Sequence, residues 1–157
     1  MTISIGSPAS GTAKVYIANF GDSTVSVIDT GTGAVTATIQ AGTQPDAVVV
    51  TPDGAKAYVG NFGTNQVTVF TTAANTVTKA ISAGNAPYGM AMSPDGSHVY
   101  VANSGGHSVS VIDTATDSVT NTIAVGGGSN LSAPWGLAVS PDSQTIYLAD
   151  NGLSRST

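Results

Sequence analysis

The sequence predicts an all-β fold built from repeated four-stranded antiparallel units, and three observations support this prediction. The composition favours strands and turns, and only 8% of the residues are charged. Four short words rich in β-branched residues recur in fixed order with a period of 42 residues. Nowhere do apolar residues recur at helical spacing, whereas the recurring words alternate with a period of two.

The first word is centred on a repeated tyrosine and ends at a turn. It reads VYIANFG at 15–21, AYVGNFG at 57–63, VYVANSG at 99–105 and IYLADNG at 146–152. Its β-branched and aromatic residues predict a strand, and the Asn or Asp and the Gly that close it predict a turn.

Two further strands follow in each repeat. The second word is VSVIDT at 25–30, VTVFTT at 67–72 and VSVIDT at 109–114. Its alternation places Val25 and Val27 on one face of the strand, with Ser26 and Ile28 on the other. The third word is VTATI at 35–39, VTKAI at 77–81 and VTNTI at 119–123.

The fourth word begins with proline and ends in a tight turn. It reads PDAVVVTPDG at 45–54, PYGMAMSPDG at 87–96 and PWGLAVSPDS at 134–143. Proline presets the first turn position, Asp bonds the local backbone and Gly accepts a positive φ, so each Pro-Asp-Gly predicts a hairpin turn. Four strands in about 40–45 residues are typical of one blade of a β-propeller.

Taken together, the words resemble the YVTN family of β-propeller repeats, found in surface-layer proteins. This resemblance implies a seven-bladed ring in which the fourth word is the inner strand, the first word is second, and the third word is the outer edge. The chain, 1–157, is then a single partial propeller of about three and a half blades in an open arc. Its expected units are blade 1 with an inner strand near Ile3–Ser7, two complete blades, and an insertion loop with the inner half of a fourth blade: 1–42, 43–84, 85–126 and 127–157.

Composition excludes several classes of partner. The net charge is −5 and the four basic residues form no patch, so a nucleic-acid partner is not expected. No apolar run is long enough to span a membrane, so membrane insertion is not expected. Cysteine is absent, which removes disulfides and thiolate sites. The first residues do not resemble a signal peptide, but the family resemblance implies an extracellular, cell-surface or periplasmic location.

The candidate ligand site is one rim of the channel. The residue after the inner-strand proline changes from repeat to repeat while its neighbours hold, and the loops after the first word end at the same rim. The ligand-rim candidates are therefore Asp46, Tyr88, Trp135, Phe20, Phe62 and His107. In the alternative interpretation, Tyr88 and Trp135 pack between neighbouring blades.

No catalytic, metal or cofactor site is predicted. Asp29 and Asp113 are expected to cap turns, and the Asn residues that close the first word are expected to form turns. The leading hypothesis is a non-catalytic module for protein or glycan contact, with self-association or further blades completing the ring. The rival is a fragment of an enzymatic or metal- or haem-binding propeller, lactonase-like in kind, whose active residues lie on other blades.

Overall fold

The computed structural model describes residues 3–6, 13–125 and 133–151. Residues 126–132, which carry most of the predicted insertion loop, lie outside the described residues. The described residues form fourteen strands and no helix, so they contain no helix that could cross a membrane.

The strands form four antiparallel sheets that follow the order of the chain. The first sheet contains β1 (Ile3–Gly6), β2 (Lys14–Asn19), β3 (Thr24–Asp29) and β4 (Val35–Gln40). The second contains β5 (Pro45–Val50), β6 (Lys56–Asn61), β7 (Gln66–Thr71) and β8 (Thr76–Ser82). The third contains β9 (Pro87–Met92), β10 (His98–Asn103), β11 (Ser108–Asp113) and β12 (Ser118–Ala124), and the last pairs β13 (Pro134–Val139) with β14 (Ile146–Asp150). We call these sheets blades 1 to 4.

Consecutive blades pack side by side through their inner strands. β5 contacts both β1 and β9, and β9 contacts β13. The outer strands are largely exposed, as shown by Val35 on β4 and Val77 on β8. This arrangement confirms the predicted all-β fold and its partial propeller architecture, with the fourth word of each repeat on the inner strand.

The hydrophobic core lies between neighbouring blades. Tyr16 and Val27 of blade 1 pack with Val48 and Phe70 of blade 2 in one buried cluster. The rings of Tyr16 and Phe70 are 5.6 Å apart. A second cluster joins blades 2 and 3 in the same way. Because burying one such side chain contributes roughly 1.5–3 kcal/mol, each blade is stabilised chiefly by its neighbours.

The predicted hairpin turns are present at the ends of the inner strands. Gly54 and Gly96 have φ values of 71° and 74°, and Ser143 takes the equivalent place at 60°. Asp53 accepts a hydrogen bond from the N–H of Ala55 at 2.9 Å, as predicted for the central Asp of such a turn.

The asparagines that close the first word form the predicted turns, and their side chains also hydrogen-bond within the blade. The backbone carbonyl of Asn61 does accept a turn hydrogen bond from Thr64. Its side chain, however, is fully buried, and its Nδ2 donates to Thr68 Oγ1 at 2.9 Å. The Thr68 hydroxyl in turn donates to the carbonyl of Ala41 in the segment that leads into the blade. We call this arrangement the asparagine clamp, because it fixes the segment before blade 2 to that blade.

The asparagine clamp recurs in blade 3. Asn103 Nδ2 donates to Ser110 Oγ at 2.9 Å and to the carbonyl of Ala83 at 3.1 Å. In blade 1, Asn19 Nδ2 donates to Ser26 Oγ at 2.8 Å. The short polar residue on the third strand is therefore part of the blade's hydrogen bonding, which the sequence pattern alone did not reveal.

Candidate functional site

In three inner strands, β5, β9 and β13, a β-bulge presents one residue at the same end of the blade, which we call the mouth. In blade 2, Pro45 pairs with Asn61 and Ala47 pairs with Gly60, so Asp46 is an extra residue without a partner in the ladder. In blade 4, Trp135 is the extra residue between the pairs of Pro134 and Gly136. Bulges redirect side chains and are frequent at the rims of sheets.

The same bulge occurs in blade 3, where Tyr88 follows Pro87. The pairing shifts by one residue between Val101 and Asn103, the two residues of β10 that lie opposite this stretch. Asp46, Tyr88 and Trp135 therefore occupy structurally equivalent places, each released from its strand at the same end of its blade.

Backbone hydrogen bonds hold the loops after β6 and β10 against this mouth. The N–H of Phe62 donates to the carbonyl of Gln44 at 2.9 Å, and the N–H of Ser104 donates to that of Ala86 at 2.9 Å. Gln44 and Ala86 have φ values of 53° and 52°, which are uncommon for residues other than glycine. The mouth is thus built on constrained backbone, a feature that often accompanies binding sites.

Four aromatic rings form a continuous row across the four blades. Phe20 and Phe62 have centroids 6.3 Å apart, and Phe62 meets Tyr88 edge to face at 6.3 Å. Tyr88 and Trp135 are 4.5 Å apart with planes inclined by 36°. We call these four residues the aromatic row. The rings touch across blade boundaries, as the packing interpretation expects, while Phe20 and Trp135 remain 43% and 44% exposed. Their role as a ligand rim stays a prediction.

Asp46 lies beside the aromatic row in a groove between blades 1 and 2. This groove, which we call the mouth groove, has a volume of about 330 Å³. Its walls are the end of β2 and the following loop, with Phe20 and Asp22, and the start of β5, with Pro45 and Asp46. None of the residues that line it is basic.

Asp46 is a largely buried acidic residue in the wall of the mouth groove. Asp46 is only 8% exposed. Among the described residues, no side chain or backbone N–H donates a hydrogen bond to it and no Lys or Arg pairs with it. Burial raises the pKa of Asp46 above its ordinary value. Burial also raises the pKa of Tyr88, and the negative charge of Asp46 raises it further.

His107, the remaining candidate, lies at the same end of its blade but in the turn between β10 and β11. Its φ of 49° matches the left-handed positions of Ser23 and Asn65 in the equivalent turns. The turn position itself therefore explains the backbone at His107. The loop position that holds Phe20 and Phe62 in blades 1 and 2 is occupied by Ser104 in blade 3.

A second groove, of about 280 Å³, lies at the opposite ends of blades 2 and 3. Its charged side chains are engaged in the structure itself. Lys56 Nζ forms an ion pair with Asp117 at 2.8 Å, and Asp95 accepts a hydrogen bond from Ser93 Oγ at 2.5 Å.

Within residues 3–6, 13–125 and 133–151, no group of three or more His, Cys, Asp or Glu side chains is placed to hold a metal ion. Asp29 and Asp113, which the sequence offered as turn caps, accept hydrogen bonds from the backbone of Thr32 and Thr116 at 2.9 and 2.8 Å. That prediction is confirmed.

Sequence reasoning identified the residues of the aromatic row but missed the bulge that presents Asp46, Tyr88 and Trp135. A signal was available in the recurring proline, because a residue without an N–H favours irregular pairing at a strand end. The burial of Asp46 left no comparable signal, since a carboxylate after proline is more typical of an exposed turn.

Comparisons with known proteins agree with this architecture. The family described as Lactonase, 7-bladed beta-propeller matches residues 9–133. Hydrazine synthase from Kuenenia stuttgartiensis aligns with 32% identity and a TM-score of 0.85, over 94% of this chain and 40% of that one. A functionally unknown protein from Desulfotomaculum acetoxidans aligns with 19% identity and a TM-score of 0.74, over 94% of this chain and 48% of that one, and shows the fold alone. No curated protein matches the chain.

The chain thus spans less than half the length of either solved chain. The family match covers well over half of the 157 residues, and the four-stranded blades found here are the units of which such propellers are made. The chain therefore belongs to the lactonase family of seven-bladed β-propellers.

Proposed function

We propose that this chain is a non-catalytic binding segment of a propeller and that it contacts a protein or glycan ligand with the aromatic row. The observation that carries the proposal is the continuity of four rings across four blades, with Phe20 and Trp135 each more than two-fifths exposed. Aromatic side chains offer large contact area at low entropic cost and dominate the energetics of many interfaces.

Comparison of the repeats supports this proposal, because it distinguishes the residues that recur from the position at the mouth that varies. The asparagine clamp and the Pro-Asp-Gly turn recur in blades 2 and 3, and a Pro-Asp-Ser turn replaces the latter in blade 4, whereas the bulge position holds Asp46, then Tyr88, then Trp135. A blade therefore folds with any of these three side chains at the mouth. A position that the fold leaves open is free to serve a ligand.

The resemblance to YVTN repeats supports a role at a surface outside the cytoplasm. All four recurring words carry it, among them VYVAN on the second strand and VSVID on the third strand of blade 3. We accordingly propose a surface-layer-like or periplasmic setting, in which the low charge and the absence of cysteine are ordinary features.

The test uses two exposed apolar residues of the same blade. Phe20 and Val35 are 43% and 59% exposed, but only Phe20 belongs to the aromatic row. The purified chain is applied to arrays of glycans and of short peptides, and bound species are retested with Phe20→Ala and Val35→Ala. Phe20→Ala is expected to weaken binding about tenfold or more, the effect of removing a hot-spot residue, while Val35→Ala leaves it unchanged. Equal binding by both variants, or no bound species at all, contradicts the proposal.

Lactone hydrolysis is the second candidate function, and the family match favours it. Hydrazine synthase, by its name, is also an enzyme, which supports catalytic roles for propellers of this kind. In this chain the side chain best placed to accept a proton at the mouth is Asp46, because its pKa is raised by burial. Release of acid from simple γ- and δ-lactones, lost in Asp46→Asn but not in Asp95→Asn, would establish this candidate instead of the non-catalytic one.

A further inference from the structure

We propose that the side of blade 3 that faces blade 4, together with the open edge of β14, is a docking surface for a β-hairpin that presents a carboxylate to Tyr100. The occupant is a polypeptide hairpin with the pattern of the third and fourth strands of a blade and an Asp immediately before its second strand. This surface does not include the aromatic row, so the inference goes beyond the proposed function. It rests on a comparison of the junctions between blades.

The junction of blades 2 and 3 shows the contact in full. Asp117 immediately precedes β12, and its carboxylate reaches back to blade 2. One of its oxygens accepts a hydrogen bond from Tyr58 Oη at 2.5 Å, and the other forms the ion pair with Lys56 Nζ at 2.8 Å. Burial and the hydrogen bond to Asp117 raise the pKa of Tyr58, so its hydroxyl remains a donor. A carboxylate of the third blade thus holds two side chains of the second.

The turn that carries this carboxylate recurs in the chain. Gly33, Asn75 and Asp117 are spaced by 42 residues in the turns that lead into the fourth strands, and their φ values are 69°, 53° and 50°. A left-handed backbone favours Gly, Asn and Asp. The hairpin geometry is therefore shared by three blades, and the side chain at this position decides whether a carboxylate reaches the preceding blade.

Blade 3 presents the receiving half of the same contact. His98 and Tyr100 follow Lys56 and Tyr58 by 42 residues, and their rings stack with centroids 6.2 Å apart. Among the described residues, blade 4 consists of β13 and β14, so no turn before a fourth strand lies opposite Tyr100. The Tyr100 hydroxyl and the imidazole can each donate a hydrogen bond to a carboxylate, as the hydroxyl and ammonium of blade 2 do.

The apolar side chains of this face are uncovered where their equivalents are covered. Ile123 is 41% exposed, whereas Ile81 and Ile39 at the same place in blades 2 and 1 are 6% and 5% exposed. Val111 is half-buried, whereas its equivalent Val69 is fully buried. In the covered junction these positions belong to a cluster completed by the third strand of the next blade. A docked hairpin would extend that established interface by one junction.

The edge of β14 determines how the hairpin lies. In blades 2 and 3 the second strand pairs with the third along its whole length. Within the described residues, β14 pairs only with β13. A hairpin that forms the same ladder on β14 brings the residue before its second strand to Tyr100, because Asp117 holds that place relative to Tyr58. One binding mode therefore satisfies the edge, the apolar face and the hydroxyl.

The experiment uses the whole chain and an acetylated, amidated peptide of residues 108–124, the hairpin of β11 and β12. NMR signals of the Ile123 methyl groups and of the β14 amides report binding. Because an isolated hairpin is marginally stable in water, the same peptide is also fused after Thr157 through a flexible linker, which raises its effective concentration. Size exclusion selects the monomeric fraction of the fused chain.

We expect the peptide to shift the Ile123 and β14 signals and to protect the β14 amides from exchange. Tyr100→Phe, which removes only the hydroxyl, should weaken binding about tenfold, the effect of losing a hydrogen bond to a charged group. Asp117→Ala in the peptide should weaken it equally, with no further loss when the two changes are combined. Tyr58→Phe in the chain is the matched control and should leave binding unchanged. Circular dichroism verifies that both variants fold.

Three results would overturn the inference. Equal binding by Tyr100→Phe and the parent chain means that no carboxylate is held there. Weakening by Tyr58→Phe in place of Tyr100→Phe means that the peptide displaces β11 and β12 from blade 3. Unchanged Ile123 and β14 signals in the fused chain mean that the surface does not accept a hairpin. None of these results bears on Phe20→Ala, which tests the proposed function separately.

Discussion

Asp46 occupies the bulge position of blade 2, and its charged carboxylate lowers the stability of the folded chain. The equivalent Tyr88 and Trp135 lie against other rings, but Asp46 places a carboxylate in a site that is 8% exposed. Burial of this kind destabilises the charged form. Residues that cost stability and serve a ligand are characteristic of binding and catalytic sites.

Asp46→Asn is therefore expected to stabilise the folded chain at neutral pH. A carboxyl whose pKa is raised on folding binds its proton more tightly in the folded state, so it lowers stability at pH values above that raised pKa. As the pH falls through the raised pKa toward the ordinary range for Asp, the cost disappears. Urea unfolding should show the variant more stable than the parent at pH 7, with the difference vanishing near pH 3.

Substitution of Asp95, which is the control, is expected to change the stability in the opposite direction. Hydrogen bonds, foremost from the Ser93 hydroxyl, lower the pKa of Asp95 to about 2. Its contribution to stability is present above the ordinary Asp range and is lost as the pH falls toward about 2. Asp95→Asn should therefore lower stability at pH 7. A stability loss in Asp46→Asn as well would show that its carboxylate has a favourable role in the fold.

At the scale of the element, the asparagine clamp explains how a blade holds the segment that enters it. Thr68 donates its hydroxyl to the Ala41 carbonyl and accepts from Asn61 Nδ2, all in a buried site. The Oδ1 atoms of Asn61 and Asn103 are buried without a partner among the described residues. The buried polar atoms of the clamp have few alternative hydrogen-bond partners. Loss of one member should therefore destabilise the fold.

Thr68→Val is expected to destabilise the chain by roughly 1–3 kcal/mol, because it leaves a buried donor and a buried acceptor unsatisfied at nearly constant volume. The matched control is Thr120→Val on the outer strand β12, where the hydroxyl is exposed and its hydrogen bond to Val111 is 3.3 Å long. Denaturant unfolding compares the two. Equal effects would mean that the clamp hydroxyl contributes no more than an exposed one.

Blades 3 and 4 meet more closely than a side chain at Gly89 would permit. A Cβ atom added at Gly89 would lie 2.0 Å from the carbonyl oxygen of Trp135. Blade 2 carries Ala47 at the equivalent position, fully buried, so the requirement belongs to this junction and not to blades in general.

Gly89→Ala should therefore displace β13 from β9. The expected cost is about 1–3 kcal/mol, as for overpacking elsewhere, with a red shift of Trp135 emission as the ring loses its contact with Tyr88. Gly21→Ala is the control, because nothing lies within 4 Å of the added atom. Unchanged emission in Gly89→Ala would show that the junction relaxes without moving the tryptophan.

Most strands and turns were predictable from the sequence, whereas part of the candidate site was not. Period-two alternation identified the strands, because the core takes Val25 and Val27 from one face and leaves Ser26 for the other. Turn chemistry identified the hairpins at Gly54 and Gly96. The clamp and the bulge escaped prediction, because each depends on hydrogen bonds between residues that are distant in the chain.

At the scale of the molecule, the arc presents an exposed strand at blade 4. Within the described part of the chain, β14 pairs only with β13, and Tyr147 on it is 61% exposed. An open edge of high β propensity favours pairing with another strand. The expectation of self-association, or of further blades beside this one, stays a prediction.

Light scattering during size exclusion should therefore find species larger than the 15.4 kDa chain. Tyr147→Lys is expected to reduce their amount, because a charge on an edge strand opposes strand addition. Val77→Lys, on the outer strand β8, is the matched control, since Val77 is also exposed. A monodisperse monomer for the parent chain would show that the arc is self-sufficient.

The bulge that follows each inner-strand proline also bears on how such a chain can change over generations. Since the bulged residue takes no part in the ladder, its side chain can be exchanged while the strand pairing stays as it is. A gene that lengthens by copying 42-residue units gains, with each copy, one codon at the mouth that does not determine the strand pairing. Selection can then change the residue at the mouth of each blade separately, while the strand pairing stays the same.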